Sequence, residues 1–195
     1  MTTEITDRQK EIINVSLQII SESGIQGLTI KNIANKIGFT ESAIYRHYEN
    51  KIQILIAILD FFKDNSQRFF LKETQGIESS IIKIERLFLN HFNRFTSNPS
   101  LVAVIFSEEI FRNETVLVEK IQEIMNNNIQ SLTNIIETGQ KNSEIRTDIE
   151  AAYLSTIILG SLRMFVKKWQ MSNFSFDLNN QGIEFINSIK ILIKS

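Results

Sequence analysis

Apolar residues recur at helical spacing along almost the whole chain, and this pattern predicts about nine α-helices and no strands. The sharpest short example is residues 30–37, in which Ile30, Ile33, Ala34 and Ile37 stand at positions i, i+3, i+4 and i+7 and would share one helix face. The chain has one proline and seven glycines, and so few interruptions favour long helices over many short strands. The predicted fold class is therefore all-α.

Two short helices joined by a tight turn are predicted between residues 29 and 51. Thr29 precedes the apolar face of the first helix and can cap it, because its hydroxyl can accept a hydrogen bond from an unpaired backbone N–H. Gly38 follows the last periodic residue, where the chain must reverse and where a positive φ costs glycine little. Thr40 can cap the second helix, and Glu41 in its first turn suits the positive end of the helix dipole.

The rest of the pattern predicts one helix before this stretch and six after it, with residues 1–6 as an N-terminal arm. The predicted spans are about residues 7–23, 77–96, 101–111, 115–138 and 147–171, together with a long helix from Asn50 to the break at Gly76 and a last helix that follows Asp177. Asp7 and Asp177 are predicted caps, and Thr147 with Glu150 has the spacing of a capping box. Gly139 is predicted to end the helix that begins at residue 115.

The second short helix carries polar side chains on the face that points away from its apolar residues. With Ala43, Ile44 and Tyr48 directed inward, the outer face consists of Thr40, Glu41, Ser42, Tyr45, Arg46 and His47. Hydroxyl, guanidinium and imidazole groups suit the phosphate oxygens and base edges of DNA. A helix-turn-helix places such a second helix in the major groove, so this stretch predicts DNA binding.

The residues of this stretch also follow a fuller pattern than a bare helix-turn-helix, which occurs in ordinary helical proteins too. Residues 29–51 read Thr-Ile-x-x-Ile-Ala-x-x-Ile-Gly-Phe-Thr-x-x-Ala-Ile-Tyr-x-His-Tyr-x-Asn-Lys. This pattern closely resembles the DNA-binding signature of the TetR/AcrR family of bacterial transcriptional regulators. The resemblance implies a three-helix N-terminal DNA-binding head at residues 1–50. It implies a larger helical domain for ligand binding and dimerisation at residues 51–195.

The predicted DNA contacts are Thr29, Thr40, Glu41, Ser42, Tyr45, Arg46, His47 and Lys51. Arg46 is the predicted base-reading residue, because a guanidinium can bond guanine bidentately. Lys51 stands at the start of a helix, where a cation opposes the helix dipole and a nearby phosphate would resolve the conflict. In the family that the chain resembles, the tyrosine matching Tyr45 contacts a backbone phosphate. Glu41 either accepts from cytosine, repels wrong sequences, or only caps its helix.

Aromatic residues are concentrated in the second domain. At helical spacing such residues usually form a core, but the resemblance implies a ligand cavity among these helices, and ligand pockets are mostly apolar with a few polar groups. The candidate effector-binding residues are Phe88, His91, Phe92, Phe95, Phe106, Tyr153 and Trp169. Their character predicts a small hydrophobic effector. His91 is either a core histidine or a hydrogen-bond donor to that effector.

The last two helices carry more apolar surface than a closed monomer needs. Apolar and small residues nearly encircle the first of them, as expected for a helix that is buried on several sides. The resemblance implies that two such helices from each chain form a four-helix dimer interface. The predicted interface residues are Ile157, Gly160, Ser161, Phe165, Ile186 and Ile189. The alternative is that these helices only close the core of the monomer.

Composition and charge exclude several other classes of protein. The 195 residues are 43% hydrophobic and 22% charged, which is ordinary for a globular protein. There is no cysteine for a disulfide or thiolate metal site, and the two histidines, His47 and His91, lack metal-ligand spacing. No phosphate loop or nucleophile motif appears, so we expect no enzyme, no cofactor and no metal. No apolar run approaches the roughly 20 residues of a membrane span, so the expected location is cytoplasmic.

Together with the resemblance to the TetR/AcrR family, these observations predict a homodimeric transcriptional regulator that acts as a repressor. It would bind a pseudo-palindromic operator in double-stranded DNA and leave it when the effector fills the second domain. The net charge of −1 argues against indiscriminate nucleic-acid binding, although four cations lie in or beside the motif. The alternative is a helix-turn-helix DNA-binding protein whose second domain responds to a protein partner instead of a small ligand.

Overall fold

The structure, a computed structural model, describes residues 5–106 and 114–195. Within these residues it contains nine α-helices: α1 (Asp7–Ser23), α2 (Ile30–Ile37), α3 (Glu41–Tyr45), α4 (Lys51–Thr74), α5 (Ser80–Ser97), α6 (Ser100–Ile105), α7 (Thr115–Lys141), α8 (Ala151–Met171) and α9 (Leu178–Ile193). A 3₁₀ turn at Ile25–Gly27 joins α1 to α2. The predicted all-α fold with a three-helix head is confirmed. Residues 1–4 of the predicted arm and the predicted helix end at residue 111 lie outside the described residues.

The chain folds as two compact units, each of which has its own core. The first comprises Met1–Phe62 and Pro99–Ile121, and the second comprises Lys63–Asn98 and Gln122–Ser195. The long helices α4 and α7 each contribute residues to both units. The functional division of the chain at residue 50 stays a prediction.

The first unit begins with a capping box at the start of α1. The Thr6 hydroxyl accepts a hydrogen bond from the Gln9 backbone N–H, and the Gln9 side chain accepts one from the Thr6 N–H at 3.0 Å. The predicted cap was Asp7, which is wrong by one residue because the Thr6–Gln9 pair satisfies two backbone donors reciprocally. From this start α1 buries Ile12, Leu17 and other apolar residues while packing against α2 and α6.

Two predicted helix ends around the α7–α8 loop are also wrong. α7 continues through Gly139 to Lys141, and α8 begins at Ala151 instead of Thr147. The loop between them is held by the Gln140 side-chain amide, which donates to the carbonyls of Arg146 and Ile149, both at 2.8 Å. These tertiary bonds satisfy the backbone of the loop and take the place of the local cap that the Thr147 spacing predicts.

Helix α5 also starts later than predicted. Its N-cap is Ser79, whose hydroxyl accepts from the Ile82 N–H at 3.3 Å, and the side chain of Ile77 is fully exposed. The Glu144 carboxylate accepts a further bond from the Ser80 N–H at 2.6 Å. An anion at this position satisfies an unpaired helix donor and suits the positive end of the α5 dipole.

The core of the second unit contains an aromatic cluster drawn from α5, α8, α9 and the loop before α9. We define this aromatic cluster as Phe88, Phe92, Phe165, Phe176 and Phe185. The rings of Phe165 and Phe185 stack at 4.4 Å between centroids, and the ring of Phe92 lies 5.7 Å from that of Phe165. Aromatic pairs in such geometries stabilise a core beyond their burial of apolar area.

Gly182 on α9 allows the close approach of α5 in this core. A Cβ at position 182 would lie 2.5 Å from ring atoms of Phe92. Phe92 is fully buried, so its ring cannot swing out to solvent to make room. The absence of a side chain at position 182 is therefore part of how the two helices pack.

We predict that Gly182→Ala destabilises the protein by about 1–3 kcal/mol through overpacking. In an unobstructed helix interior the same substitution would stabilise the protein by roughly 0.5–1 kcal/mol. The sign of the change in unfolding free energy therefore shows whether position 182 is obstructed. The measurement is urea unfolding at fixed protein concentration. As a control, introducing Gly182→Ala into a Phe92→Leu background should cost less, because the smaller side chain leaves room. Equal stability of Gly182→Ala and wild type would contradict this packing.

Candidate nucleic-acid interface

The turn between α2 and α3 is set by caps and one left-handed residue. The Thr29 hydroxyl accepts from the Asn32 N–H at 3.1 Å, and the Thr40 hydroxyl accepts from the Ala43 N–H at 3.3 Å. Gly38 has φ 83° and ψ 33°, a left-handed conformation that strongly favours glycine. Both predicted caps and the predicted turn residue are thus found in place.

Burial of one side fixes which way α3 faces. Ile44 is completely buried, Tyr48 just after the helix is buried, and Ala43 is half-buried. Burial raises the pKa of the Tyr48 phenol. Because this side packs into the core, the opposite side of the five-residue helix points to solvent.

The structure exposes every residue that the sequence predicts to contact DNA. All eight are in the exposed class: Thr29, Thr40, Glu41, Ser42, Tyr45, Arg46, His47 and Lys51. Six of them belong to the segment from the cap of α3 to the residues just after it. This arrangement offers hydroxyls, a guanidinium and an imidazole on one accessible surface.

Lys51 is the first residue of α4, and the start of this helix is capped by neighbouring side chains of the same chain. The Asn50 side chain caps the helix by accepting from the Gln53 N–H at 3.0 Å, and the Gln53 side chain accepts from the Glu49 N–H at 2.9 Å. The partial positive charge of the helix N-terminus then adds to the charge of the exposed lysine. Helix N-termini of this kind favour phosphate groups.

The aromatic candidates for the effector site are mostly buried. Phe88, His91, Phe92, Phe95 and Trp169 all lie in the core of the second unit, whereas Phe106 is buried within the first unit. The Nδ1–H of His91 donates to the Leu87 carbonyl at 2.9 Å, and burial lowers the pKa of this imidazole. The indole N–H of Trp169 donates to the Phe176 carbonyl at 2.9 Å. These two donors are therefore already used within the chain.

The prediction for Tyr153 needs correction. This side chain is 64% exposed on α8 and lies outside the aromatic cluster, so the structure does not place it in a buried pocket. The apolar residues of α8 occupy more than one side of the helix. The helical pattern alone did not show which side faces the core.

Instead, Tyr153 begins an apolar stripe along the outer side of α8. We define the apolar stripe as Tyr153, Ile157, Met164 and Met171, all of which are exposed and follow one another at helical spacing. Gly160 lies between them, and a Cβ at this position would meet no atom within 4 Å. On α9, Ile183, Ile191 and Leu192 are also exposed. Apolar side chains exposed in a continuous stripe are typical of an interaction site.

An open concavity of 470 Å³ lies beside this stripe. Its lining contains four of the residues that the sequence predicts for a dimer interface: Ile157, Gly160, Ser161 and Phe165. The other two predicted interface residues are not accessible, since Ile186 and Ile189 are only 1% and 4% exposed. They face the core of their own chain, so a second copy could not contact them, and the predicted interface is corrected accordingly.

Two other kinds of site were sought within residues 5–106 and 114–195. No group of three or more histidine, aspartate or glutamate side chains in these residues could hold a metal ion. None of the helices described is long and apolar enough to cross a membrane.

Two family models match the chain, one over each functional region. The model described as "Bacterial regulatory proteins, tetR family" matches residues 12–58. The model described as "YsiA-like protein, C-terminal region" matches residues 62–193, which is more than half of the chain. The chain belongs to the TetR/AcrR family.

Relatives and solved structures agree with this assignment. The fatty acid metabolism regulator protein of Bacillus subtilis (strain 168) is 26% identical over 188 residues, which are 95% of this chain and 93% of that protein. The fatty acid degradation regulator FadR from Bacillus halodurans superimposes with a TM-score of 0.83 at 21% identity, covering 96% of this chain and 97% of the other. FadR from Bacillus subtilis in complex with stearoyl-CoA gives a TM-score of 0.76 at 22% identity, covering 91% and 96%. At this identity the structural likeness shows the shared fold.

As a member of the TetR/AcrR family, the chain is a DNA-binding transcriptional regulator. The function predicted from residues 29–51 is confirmed at this level. The contacts of the individual head residues stay predictions.

The structure also sorts the cations of the TetR-type head into paired and unpaired groups. Lys36 pairs with Glu22 at 2.6 Å, whereas within the described residues no ion pair is recorded for Lys31, Arg46 or Lys51. Arg46 and Lys51 are among the DNA contacts predicted from the sequence, whereas Lys31, which is exposed on α2 two residues after Thr29, is not.

Proposed function

We propose that this TetR-family chain is a repressor that binds a pseudo-palindromic operator as a homodimer and releases it when a hydrophobic effector binds. The observation that supports the DNA-binding part most directly is the outer side of α3. It is exposed and carries Arg46, which makes no ion pair in the part of the chain that the structure describes. A guanidinium that is not held by the protein is available to a base edge or a phosphate.

In this proposal residues 1–50 form the DNA-binding domain, with α3 in the major groove. Arg46 reads base edges, while Tyr45, Thr29, Thr40 and Lys51 contact phosphates. The two threonine hydroxyls already accept a bond from their own helices, yet each retains a hydrogen that it can donate to a phosphate oxygen. Phosphate contacts position the protein on the duplex, and base contacts supply its sequence preference.

The apolar stripe supports dimerisation through residues 51–195. Met164 is 70% exposed in the middle of the stripe, beside the concavity at Gly160, so a second copy could bury both. Most homodimers pair the same surface patch of two chains around a two-fold axis. A two-fold dimer presents two α3 helices, which matches an operator with two related half-sites.

A long-chain acyl thioester is the effector class that we propose. The related regulator from Bacillus subtilis has a structure in complex with stearoyl-CoA. In this chain, the rings of the aromatic cluster are in mutual contact, and the donors of His91 and Trp169 are already bonded. An apolar chain that displaces rings therefore suits this core better than a polar ligand does.

The switch that we propose is a shift between two populations of conformations. A ligand can weaken operator binding only by as much as its affinity differs between the DNA-competent and DNA-incompetent forms. Helix α4 contributes residues 51–62 to the first unit and residues 63–74 to the second, and it starts at Lys51. A displacement of its second half is thereby linked through continuous helix to the DNA-binding end.

We predict that Lys51→Ala weakens binding to all duplexes and reduces the salt dependence by about one unit per chain. Arg46→Ala should instead relax the preference at particular base pairs, at a cost of about 1–3 kcal/mol. Lys36→Ala is the matched control and should have little effect on either quantity, because its charge is already paired with Glu22. The measurement is a titration of specific and scrambled duplexes at several salt concentrations. The reverse pattern, with Arg46 indifferent to sequence and Lys51 selective, would overturn the assignment.

We predict that stearoyl-CoA weakens operator binding, whereas coenzyme A without the acyl chain does not. By linkage, DNA-bound protein must bind the thioester more weakly by the same factor, typically about 1–3 kcal/mol. Phe92→Ala should change this response but not ligand-free operator binding, and Ile77→Ala should leave both unchanged as the control, because its side chain is fully exposed and lies outside the apolar stripe.

The assay is an operator titration with and without the thioester on all three proteins. Unfolding must be measured alongside it, because truncating a buried phenylalanine costs about 3–5 kcal/mol of stability. If acyl thioesters of every chain length leave operator affinity unchanged, the effector proposal is wrong. A protein partner then becomes the better account of the second domain.

A further inference from the structure

We propose that Arg8 is a positioning residue for α3. Its guanidinium lies over the ring of Phe39 in the turn before α3 and holds that turn against α1, and Arg8 does not itself bind a DNA phosphate. The inference rests on the DNA-reading role proposed for α3.

The contact lies within the range of a cation–π interaction. The central guanidinium carbon of Arg8 is 4.3 Å from the ring centroid of Phe39, inside the roughly 6 Å range of such pairs. Phe39 follows the left-handed Gly38 and precedes Thr40, the cap of α3. Its backbone N–H donates to the Ala34 carbonyl at 2.8 Å, so its main chain is already fixed to the end of α2.

Helix α3 depends on such contacts for its orientation. It has five residues, and a helix this short is not stable on its own. α3 packs mainly on α2, and within α3 only Ile44 is fully buried. The contact between Arg8 and Phe39 links the residue just before the α3 cap directly to α1. Without this contact the turn before α3 could move relative to α1, and the orientation of the outer side of α3 would be less well defined.

The surroundings of Arg8 argue against a phosphate contact. Its guanidinium is ion-paired with Glu11 one turn further along α1. Lys10 is likewise paired with Asp7 at 3.3 Å. The cations at this end of α1 are therefore balanced by carboxylates of the same helix, unlike Arg46 and Lys51, for which the described residues record no ion pair.

The test is a double-mutant cycle on Arg8→Gln and Phe39→Leu, with operator affinity measured over a range of salt concentrations. Lys10→Gln is the matched control, because it also removes one cation from this end of α1 and leaves one carboxylate unpaired. Its effect measures the general electrostatic change alone. Arg8→Lys is included because it keeps the charge but stacks less well on a ring.

We expect each of the two single variants to weaken operator binding about two- to fivefold per chain beyond the Lys10→Gln control, the range that exposed cation–π pairs support. The salt dependence of Arg8→Gln should equal that of Lys10→Gln. After correction for the Lys10→Gln effect, the loss of affinity in the double variant should be smaller than the product of the two single losses. Arg8→Lys should restore part of the affinity. Circular dichroism and unfolding midpoints establish that the variants remain folded.

Three outcomes would overturn the proposal. If Arg8→Gln reduces the salt dependence by about one unit per chain more than the control and adds fully to Phe39→Leu, then Arg8 is a phosphate contact. If Arg8→Gln behaves like Lys10→Gln, then Arg8 positions nothing. If Arg46→Ala also leaves sequence preference intact, the proposed reading role of α3 is wrong and the positioning role of Arg8 falls with it. That last result separates the failure of the proposed function from the failure of this inference.

Discussion

The orientation of α3 depends on burying one side of a helix that is too short to stand alone. Ile44 is completely buried in the core, and Tyr48, just after the helix, is buried too. The left-handed Gly38 sets the turn that leads from α2 to α3. Because these inward contacts are apolar, the polar side chains of α3 are left on the solvent side without competing partners in the described structure. The exposure of the surface that we propose for DNA binding is thus a consequence of how the head packs.

Helix α8 illustrates a second constraint, since it is apolar on two sides. One side buries Leu154, Ile158 and Leu162 in the core, and the other carries the exposed apolar stripe. Phe165 connects the two, because it stacks on Phe185 in the aromatic cluster and also lines the concavity beside Gly160. If an effector displaces rings of the cluster, the same movement reaches the surface that we propose for dimerisation. Ligand binding and dimer geometry would then be coupled through one side chain.

Local features of the fold could be predicted from the sequence, because each depends on residues close in the chain. The caps at Thr29, Thr40 and Asp177 and the turn at Gly38 are of this kind. The start of α8 could not, since the loop before it is held by Gln140 across several residues. The capping-box spacing at Thr147 carried no information about that contact.

Burial within an apolar helix was equally hard to predict. Ile186 and Ile189 lie on an apolar face of α9 that can be identified from the sequence. The sequence does not show whether this face packs against the same chain or against a second copy. The sequence also does not show which cations of the head form ion pairs within the chain. Lys36 and Lys31 look alike in sequence, and only the fold brings Glu22 to the first of them.

The central claim is that two α3 helices, related by the two-fold axis of a dimer, read one operator. The most direct measurement is selection of duplexes from a random pool by the full-length protein, followed by sequencing of the bound fraction. The account predicts enrichment of a pseudo-palindrome whose half-sites are set about 34–36 Å apart or a multiple of this. It also predicts that Arg46→Ala changes the enriched bases and leaves the half-site spacing unchanged. Enrichment of a single unpaired site, or of no sequence at all, would contradict the claim.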